Sequence, residues 1–288
     1  EQYLTDILRY AHDLDRPVGA LITEDVWQTE GVNDRVQLAR MSQELNRRIL
    51  ERWMREGVTV IDPRNTWVDV DVDLSQDVTL MPGVILQGAT TIAPGAVIGP
   101  DTTLQDVEVG ENATVIRSHG SFAIIGDGAN VGPFSYLRPG TQLGPGGKIG
   151  AFVETKNAVI GEGAKVPHLS YVGDAIIGDG ANIGAGTIFA NYDGVNKSTT
   201  HVGNSAFIGS NSVLVAPVDI SDGAFVAAGS AVTDDVPAGG LAVARGRQRN
   251  VDDWLVRRRP GSKAARAAAE SDGNVHPAVA ESRAKKKE

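Results

Sequence analysis

From residue 68 onward an aliphatic side chain returns at every sixth position. Val68, Leu74, Leu80, Leu86, Ile92, Ile98 and Leu104 form one unbroken run. With roughly a quarter of residues being Leu, Ile or Val, such a run arises by chance on the order of once in ten thousand. The spacing returns at Ile125, Val131, Leu137, Leu143 and Ile149, and again at Val202, Ile208, Leu214, Ile220, Val226 and Val232. A small residue often follows four positions later: Ala96, Ala129, Ala164, Ala181, Ala206, Ser212 and Ala224. A six-residue period is the signature of a parallel β-helix, in which each repeat supplies one short strand and one corner. Three repeats close a triangular coil. The aliphatic points inward and the small residue fits the crowded corner, while glycine permits the turn's backbone angles. The composition agrees: 34 glycines and only 5% aromatic residues suit a narrow core of small aliphatics. The spacing predicts about nine coils over residues 68–236, a prism of roughly 45 Å at ~4.8 Å per coil.

The flanks read differently. Residues 1–58 alternate helical and extended patterns. A helical pattern starts at Tyr3-Leu4-Thr5-Asp6-Ile7-Leu8, and Val18-Gly19-Ala20-Leu21-Ile22 reads as a short strand. A long helix is expected over 32–56, with Leu38, Met41, Leu45, Ile49 and Trp53 on one face and Gly57 ending it. This segment is too short for a complete nucleotide-binding domain. The period slips at Ala190-Asn191-Tyr192-Asp193-Gly194-Val195-Asn196-Lys197, which reads as a loop leaving the coil. The repeat stops after Pro237, which gives three parts: 1–58, a β-helix over 59–240, and a basic tail over 241–288. Few apolar anchors occur beyond residue 261, so that stretch is expected to be disordered.

The absence of cysteine excludes disulfides, thiolate nucleophiles and zinc–sulfur sites. No apolar run approaches the ~18 residues of a membrane span. The chain opens at Glu1 rather than Met, which leaves room for a true N-terminus upstream, and without a signal-like stretch, so a cytoplasmic protein is expected. The net charge of −9 is uneven. From Leu255 onward nine Lys and Arg face four Asp and Glu, a surplus of five, so the preceding body carries −14. An acidic body argues against general nucleic-acid binding, and the basic tail could meet an anionic ligand or a neighbouring subunit.

Several polar motifs break the repeat. His168-Leu169-Ser170-Tyr171-Val172-Gly173-Asp174 resembles the H-L-x-Y-x-G-D motif of the GlmU family. That family joins an N-acetylglucosamine-1-phosphate uridylyltransferase to a glucosamine-1-phosphate acetyltransferase. Leu137-Arg138-Pro139-Gly140, Val153-Glu154-Thr155-Lys156, Asn182-Ile183-Gly184-Ala185-Gly186-Thr187 and Asn191-Tyr192-Asp193-Gly194 followed by Asn196-Lys197 also match, in order and spacing, over about residues 1–250. Tyr3-Leu4-Thr5-Asp6 and Glu30-Gly31-Val32-Asn33 resemble the end of the uridylyltransferase domain. The resemblance implies a left-handed coil and a homotrimer with sites between subunits. It also implies acetyl transfer from acetyl-CoA to glucosamine 1-phosphate. The glycine-rich nucleotide loop of the family is missing. The family's Asn at the Asn33 position helps hold Mg²⁺ with an Asp from that missing part, so this chain alone is expected to make no UTP-dependent product.

The chemistry agrees with the resemblance at specific positions. An amine attacking a thioester must lose a proton, and a neutral imidazole, with an unperturbed pKa near ~6.5, can take it. His168 is the candidate base; a lone His is otherwise a packed or surface residue. Arg138, Lys156 and Lys197 are candidate phosphate ligands, against a salt-bridged Arg and solvated lysines. Tyr171 and Asn182 would bind sugar or phosphate, although Asn182 could equally cap a coil corner. Glu154 would orient the amine or His168, with a structural ion pair as the alternative. By resemblance, the Ala185 N–H would steady the oxyanion. Asn191 and Tyr192 would face the acetyl end, Ser210 and Ala228 would line the pantetheine, and Arg245 would reach the phosphates. Trp254 would anchor the tail near a neighbouring subunit's site. Two other readings compete. A zinc carbonic anhydrase needs three convergent histidines, and His119, His168 and His201 lack paired spacing. A non-enzymatic scaffold leaves Arg138, Lys156, His168 and Asn191 without purpose.

Overall fold

The computed structural model describes residues 3–271 and Ala284. Parallel strands two to seven residues long stack from Thr59–Val60 to Leu241–Ala242. The first face is an eleven-stranded sheet bounded by those two strands. The second face starts at Trp67–Val68 and the third at Asp73–Leu74. These two join into one seventeen-stranded network because Glu154–Ile160 and Tyr171–Ile177 run unbroken around the edge between them. The gaps of an eleven-stranded sheet at ~4.8 Å each make an axis of about 48 Å. The sequence reading fell short because the end rungs break the period. A 3₁₀ turn at Pro63–Asn65 follows the first rung, and the last carries Ala242 where a larger aliphatic is expected.

Each inward position of the period is buried. Leu80, Ile98, Val115, Val131, Ile149, Val166, Ile183, Ile208 and Val226 stack down the first face with almost no exposure. A full burial stabilises by roughly 1.5–3 kcal/mol per side chain. A one-residue slip would turn the whole column outward, so the register is strongly specified. Most corner residues are small and, where polar, hydrogen-bonded locally; the buried Thr200 hydroxyl, without a partner among the described residues, is an exception. The hydroxyls of Thr90, Thr141, Thr187, Ser212 and Ser230 each donate to the carbonyl three residues back, at 2.6–2.8 Å.

Helix α1 spans Asp6–Asp13 and buries no side chain. Helix α2 spans Arg35–Arg55. Its start is fixed by a reciprocal cap: Asp34 Oδ1 accepts from the Gln37 N–H, and Gln37 Oε1 accepts from the Asn33 N–H. Gly57, at φ +99°, ends it. Ile49, Leu50 and Trp53 pack on the first coil, whereas Leu38 and Leu45, expected on the same packed face, are exposed. The first half of α2 has no coil beneath it. In its second half Arg48 clamps Asp25 at 2.6 and 2.8 Å, and that hydrogen-bonded guanidinium draws the Asp25 carboxyl down to about 2. The expected strand at residues 18–22 does not form. It has no neighbouring strand to pair with and lies exposed.

Asn46 joins helix to coil. Its Nδ2 donates to Thr66 O at 2.8 Å and its Oδ1 accepts from the Val68 N–H at 3.0 Å, both in the interior. Replacing Asn46 by Ala leaves two backbone groups of the first coil unpartnered. A loss of about 1–3 kcal/mol is expected, read as a lower urea midpoint with an unchanged slope.

Residues 245–288 form a separate unit. It contains the five-residue helix α3 (Trp254–Arg258) and the helix α4 (Lys263–Glu270). The expectation of disorder beyond 261 is therefore corrected for α4: Ser262 caps it by accepting from the Ala265 N–H at 3.1 Å, and its alanines favour helix. The basic residues beyond Ser271, at 283 and 285–287, lie outside the described residues. The Arg259 guanidinium lies 5.5 Å from the Trp254 ring centre, so that ring has a partner within its own unit. No helix among the described residues is long and apolar enough to cross a membrane.

Candidate active site

Most of the candidate residues fall on two edges that border the second face. The first edge lies between the first and second faces. There Leu169 N donates to Ala151 O, Gly186 N to His168 O, Asn211 N to Ala185 O and Gly229 N to Ser210 O. This register stacks His168, Ala185, Ser210 and Ala228 in one column on successive coils. Close coil approach supports it: a Cβ on Gly150 would stand 1.9 Å from the Pro167 carbonyl oxygen, so only glycine lets the His168 strand, Lys165–His168, lie this near its neighbour. The His168 imidazole is exposed and makes no hydrogen bond among the described residues, which leaves both ring nitrogens available.

The backbone N–H groups of Ala185, Ser210 and Ala228 likewise have no partner among the described residues. The edge between the third and first faces differs. There the N–H groups of Glu111, Glu162, Asp179 and Asn204 are each taken by a side-chain oxygen of the next coil, at 2.6–2.8 Å. One edge is closed by an Asp/Asn ladder, and the other presents a row of open donors beside an open imidazole. Open donors fixed in a rigid scaffold suit developing negative charge or the carbonyls of an extended ligand.

The second edge lies between the second and third faces and gathers the cations. Arg138 Nη1 donates to Glu154 Oε1 at 2.9 Å, and Lys156 Nζ meets both Asp174 oxygens at 3.3 and 3.4 Å. Neither cation is free: the salt-bridge alternative holds for Arg138, while Lys156 is ion-paired rather than solvated, and an incoming phosphate would share or displace a carboxylate. Glu154 is opposite Tyr171 in the ladder, and Lys156 is opposite Gly173. A Cβ on Gly173 would strike the Tyr171 hydroxyl at 2.3 Å, so this glycine lets the phenol lie against the face. Arg138, Glu154, Lys156 and Tyr171 are thus together on three adjacent coils.

Asn191, Tyr192 and Lys197 belong to an excursion from this second edge. Asn182 pairs with Phe207, 25 residues on, where neighbouring rungs such as Lys148 and Lys165 are 17 apart. Ser198 N donates to Asn191 O at 2.9 Å and closes the excursion's base. Asp193 accepts from the N–H groups of Asn196 and Val195, at 2.6 and 2.7 Å, and these hold its carboxyl below the usual range. Asn191 is buried; Tyr192 and Lys197 are exposed. Asn182 sits on the first face between Lys165 and Phe207, and its amide makes no hydrogen bond among the described residues, so no ladder cap forms. Arg245 is exposed and lies in the second unit, apart from the other candidates in the chain's organisation.

Sequence reasoning passed over Asp174 and Asn157. Asn157 Nδ2 donates to Asp174 Oδ1 at 2.9 Å, and Asn191 Nδ2 donates to the other oxygen. The signal was present, because Asp174 closes the H-L-x-Y-x-G-D motif. Asn33 is exposed just before the N-cap of α2. Its expected Mg²⁺ partner, an Asp, belongs to the part of the family that precedes this chain, and no group of three His, Asp or Glu that could hold an ion occurs among the described residues.

Residues 200–234 match a model described as the hexapeptide repeat of succinyl-transferase. The chain is 59% identical over 269 residues to the bifunctional protein GlmU of Rhodococcus jostii, covering 93% of this chain and 54% of that protein. It is 57% identical over 268 residues to GlmU of Kineococcus radiotolerans, covering 93% and 55%. The chain therefore spans about half the length of the curated relatives it matches, and the resemblance drawn from its motifs is borne out over that span. Among solved structures, LpxA from Acinetobacter baumannii overlaps with a TM-score of 0.32 at 18% identity, over 76% of this chain and 86% of that one.

Proposed function

We propose that this chain transfers an acetyl group from acetyl-CoA to the amine of glucosamine 1-phosphate, as its resemblance to the GlmU family implies. The observation that carries the reading is the first-edge column, in which His168 stacks with the open N–H groups of Ala185, Ser210 and Ala228. The cations gathered at the second edge, across the second face from this column, supply the sugar-phosphate site.

His168 takes the proton from the amine as it attacks the thioester carbonyl. The C–N bond forms, and the carbonyl oxygen gains the negative charge. The Ala185 N–H donates to that oxyanion. Collapse of the tetrahedral intermediate breaks the C–S bond and releases coenzyme A, which receives a proton from the imidazolium or from water. Arg138, Lys156 and Lys197 neutralise the phosphate, while Tyr171 and Asn182 hold the sugar and Glu154 keeps Arg138 aligned. Asn191 and Tyr192 flank the acetyl end, Ser210 and Ala228 line the pantetheine, and Arg245 serves the cofactor phosphates. Both substrates are cytoplasmic metabolites, so the reading places the protein there.

A homotrimer with sites between subunits completes it. Phe134, Phe152 and Leu169 form an exposed apolar ridge along the first edge, beside His168, all at positive φ of 54–60°, with the two rings stacked at 5.3 Å. Bulky residues in that backbone region are strained, and a covering subunit would offset the strain. A monodisperse monomer by light scattering at assay concentration would overturn the trimer.

The test is direct. Purified chain, acetyl-CoA and glucosamine 1-phosphate are mixed, and free thiol is followed. Thiol release that depends on the sugar phosphate is expected. No release would defeat the reading and leave a scaffold, and release indifferent to the amine would defeat it in favour of thioester hydrolysis.

A further inference from the structure

Asp174 is the most heavily engaged polar side chain of the second edge. It is 8% exposed and adopts φ +49°. Three donors converge on its carboxylate: Lys156 Nζ at 3.3 and 3.4 Å, Asn157 Nδ2 at 2.9 Å, and Asn191 Nδ2. Burial alone would push its carboxyl up, but the hydrogen bonds from Asn157, Asn191 and Lys156 outweigh this and hold it below the ordinary range, so it is charged at neutral pH.

A corner of this shape does not require such a cluster. Gly88, Asp106, Phe122, Gly140, Asn157 and Asp174 all occupy left-handed backbone at this edge, so Gly and Phe serve there too. Among the described residues Asp106, further up the coil, accepts only the Ala89 N–H, at 2.9 Å. An ionised carboxylate can only accept hydrogen bonds. Both amides facing Asp174 must therefore present their NH₂ groups, which turns the Oδ1 of Asn191 outward as an acceptor. Lys156 belongs to the sugar-phosphate face, and Asn191 opens the excursion assigned to the acetyl donor. One carboxylate touches both.

We infer that Asp174 is a positioning residue that couples the two substrate sites: it holds Lys156 for the sugar phosphate and fixes the Asn191 amide so that its oxygen receives an N–H of the pantetheine arm. This rests on the acetyltransferase reading. Asp174 itself meets neither substrate and acts through its partners.

Asp174→Asn is the informative change. Asn keeps the volume and tolerates left-handed backbone, but it removes the charge and brings its own NH₂ against three donors. The control is Asp106→Asn, at the same edge and in the same backbone region. Steady-state KM and kcat for both substrates, calorimetric binding of coenzyme A, and unfolding midpoints are measured for the unaltered chain and both variants. Asp174→Asn is expected to raise both KM values and the Kd for coenzyme A about tenfold or more, with a smaller change in kcat. Asp106→Asn is expected to leave all of them unchanged. Equal KM values in Asp174→Asn and the unaltered chain, an effect on one substrate alone, or an equal defect in Asp106→Asn would each overturn the inference. An unaltered chain without turnover would instead overturn the functional reading, and the inference with it.

Discussion

Replacing His168 by Ala is expected to lower acetyl-transfer turnover by roughly 10²- to 10⁴-fold, the usual range for losing a general base. Protein stability should barely change. The imidazole is exposed and hydrogen-bonded to nothing among the described residues, so its removal uncovers no buried group. Surface changes of this kind usually stay within about ±0.5 kcal/mol. The pairing of a large kinetic loss with an unmoved unfolding midpoint is the discriminating result, because a packing role would shift the midpoint first. The KM for acetyl-CoA should also hold, since the open N–H groups of Ala185, Ser210 and Ala228 are backbone and survive the change. Thiol release at the rate of the unaltered chain would remove His168 as the base and leave the open-amide column as a binding surface only.

That column could not be read from the sequence, although every member of it was named there. The six-residue period specifies which residues point inward, because one buried column fixes the register of every rung. It says nothing of which corner amides remain free. That depends on whether the next coil supplies an acceptor, as Asp127, Asp179, Asn204 and Asp222 do along one edge and Ala185, Ser210 and Ala228 do not along the other. Arg138 was legible as a possible salt-bridge member but not with its partner, and Lys156 read as a ligand or a solvated cation, because Glu154 and Asp174 reach them from neighbouring coils, 16 and 18 residues away. Outside the coil the signals were local and failed locally. The extended pattern at residues 18–22 had no strand to pair with, and the apolar stripe of α2 outran the coil end beneath it at Leu38 and Leu45. Helix α4 was masked by its charge, although Ser262 and the alanines after it carried a cap and a propensity.

Phe189 is the largest fully buried side chain among the described residues, and Phe189→Ala should cause the largest stability loss of the single changes considered. Removing a buried ring costs about 3–5 kcal/mol, which in a domain of this size lowers the midpoint by roughly 6–20 °C. The position matters beyond its volume. Phe189 pairs with Leu214 in the coil that carries the excursion, and Ala190 and Asn191 follow it directly. A stacked coil gains stability chiefly from its neighbours, so a void at this rung weakens the tie between the coils bearing Lys156 and Asp174 and those bearing Ser210 and Ala228. Leu104→Ala provides the comparison. Its side chain is equally enclosed, but it lies on a rung with none of the candidate residues. It should cost about 2–5 kcal/mol and leave the KM for acetyl-CoA unchanged below its own unfolding range. Phe189→Ala, assayed at a temperature where both variants are fully folded, should raise that KM as well. Equal KM values in the two variants would mean that the excursion is anchored by its own hydrogen bonds, at Asn191 and Asp193, rather than by the ring beneath it.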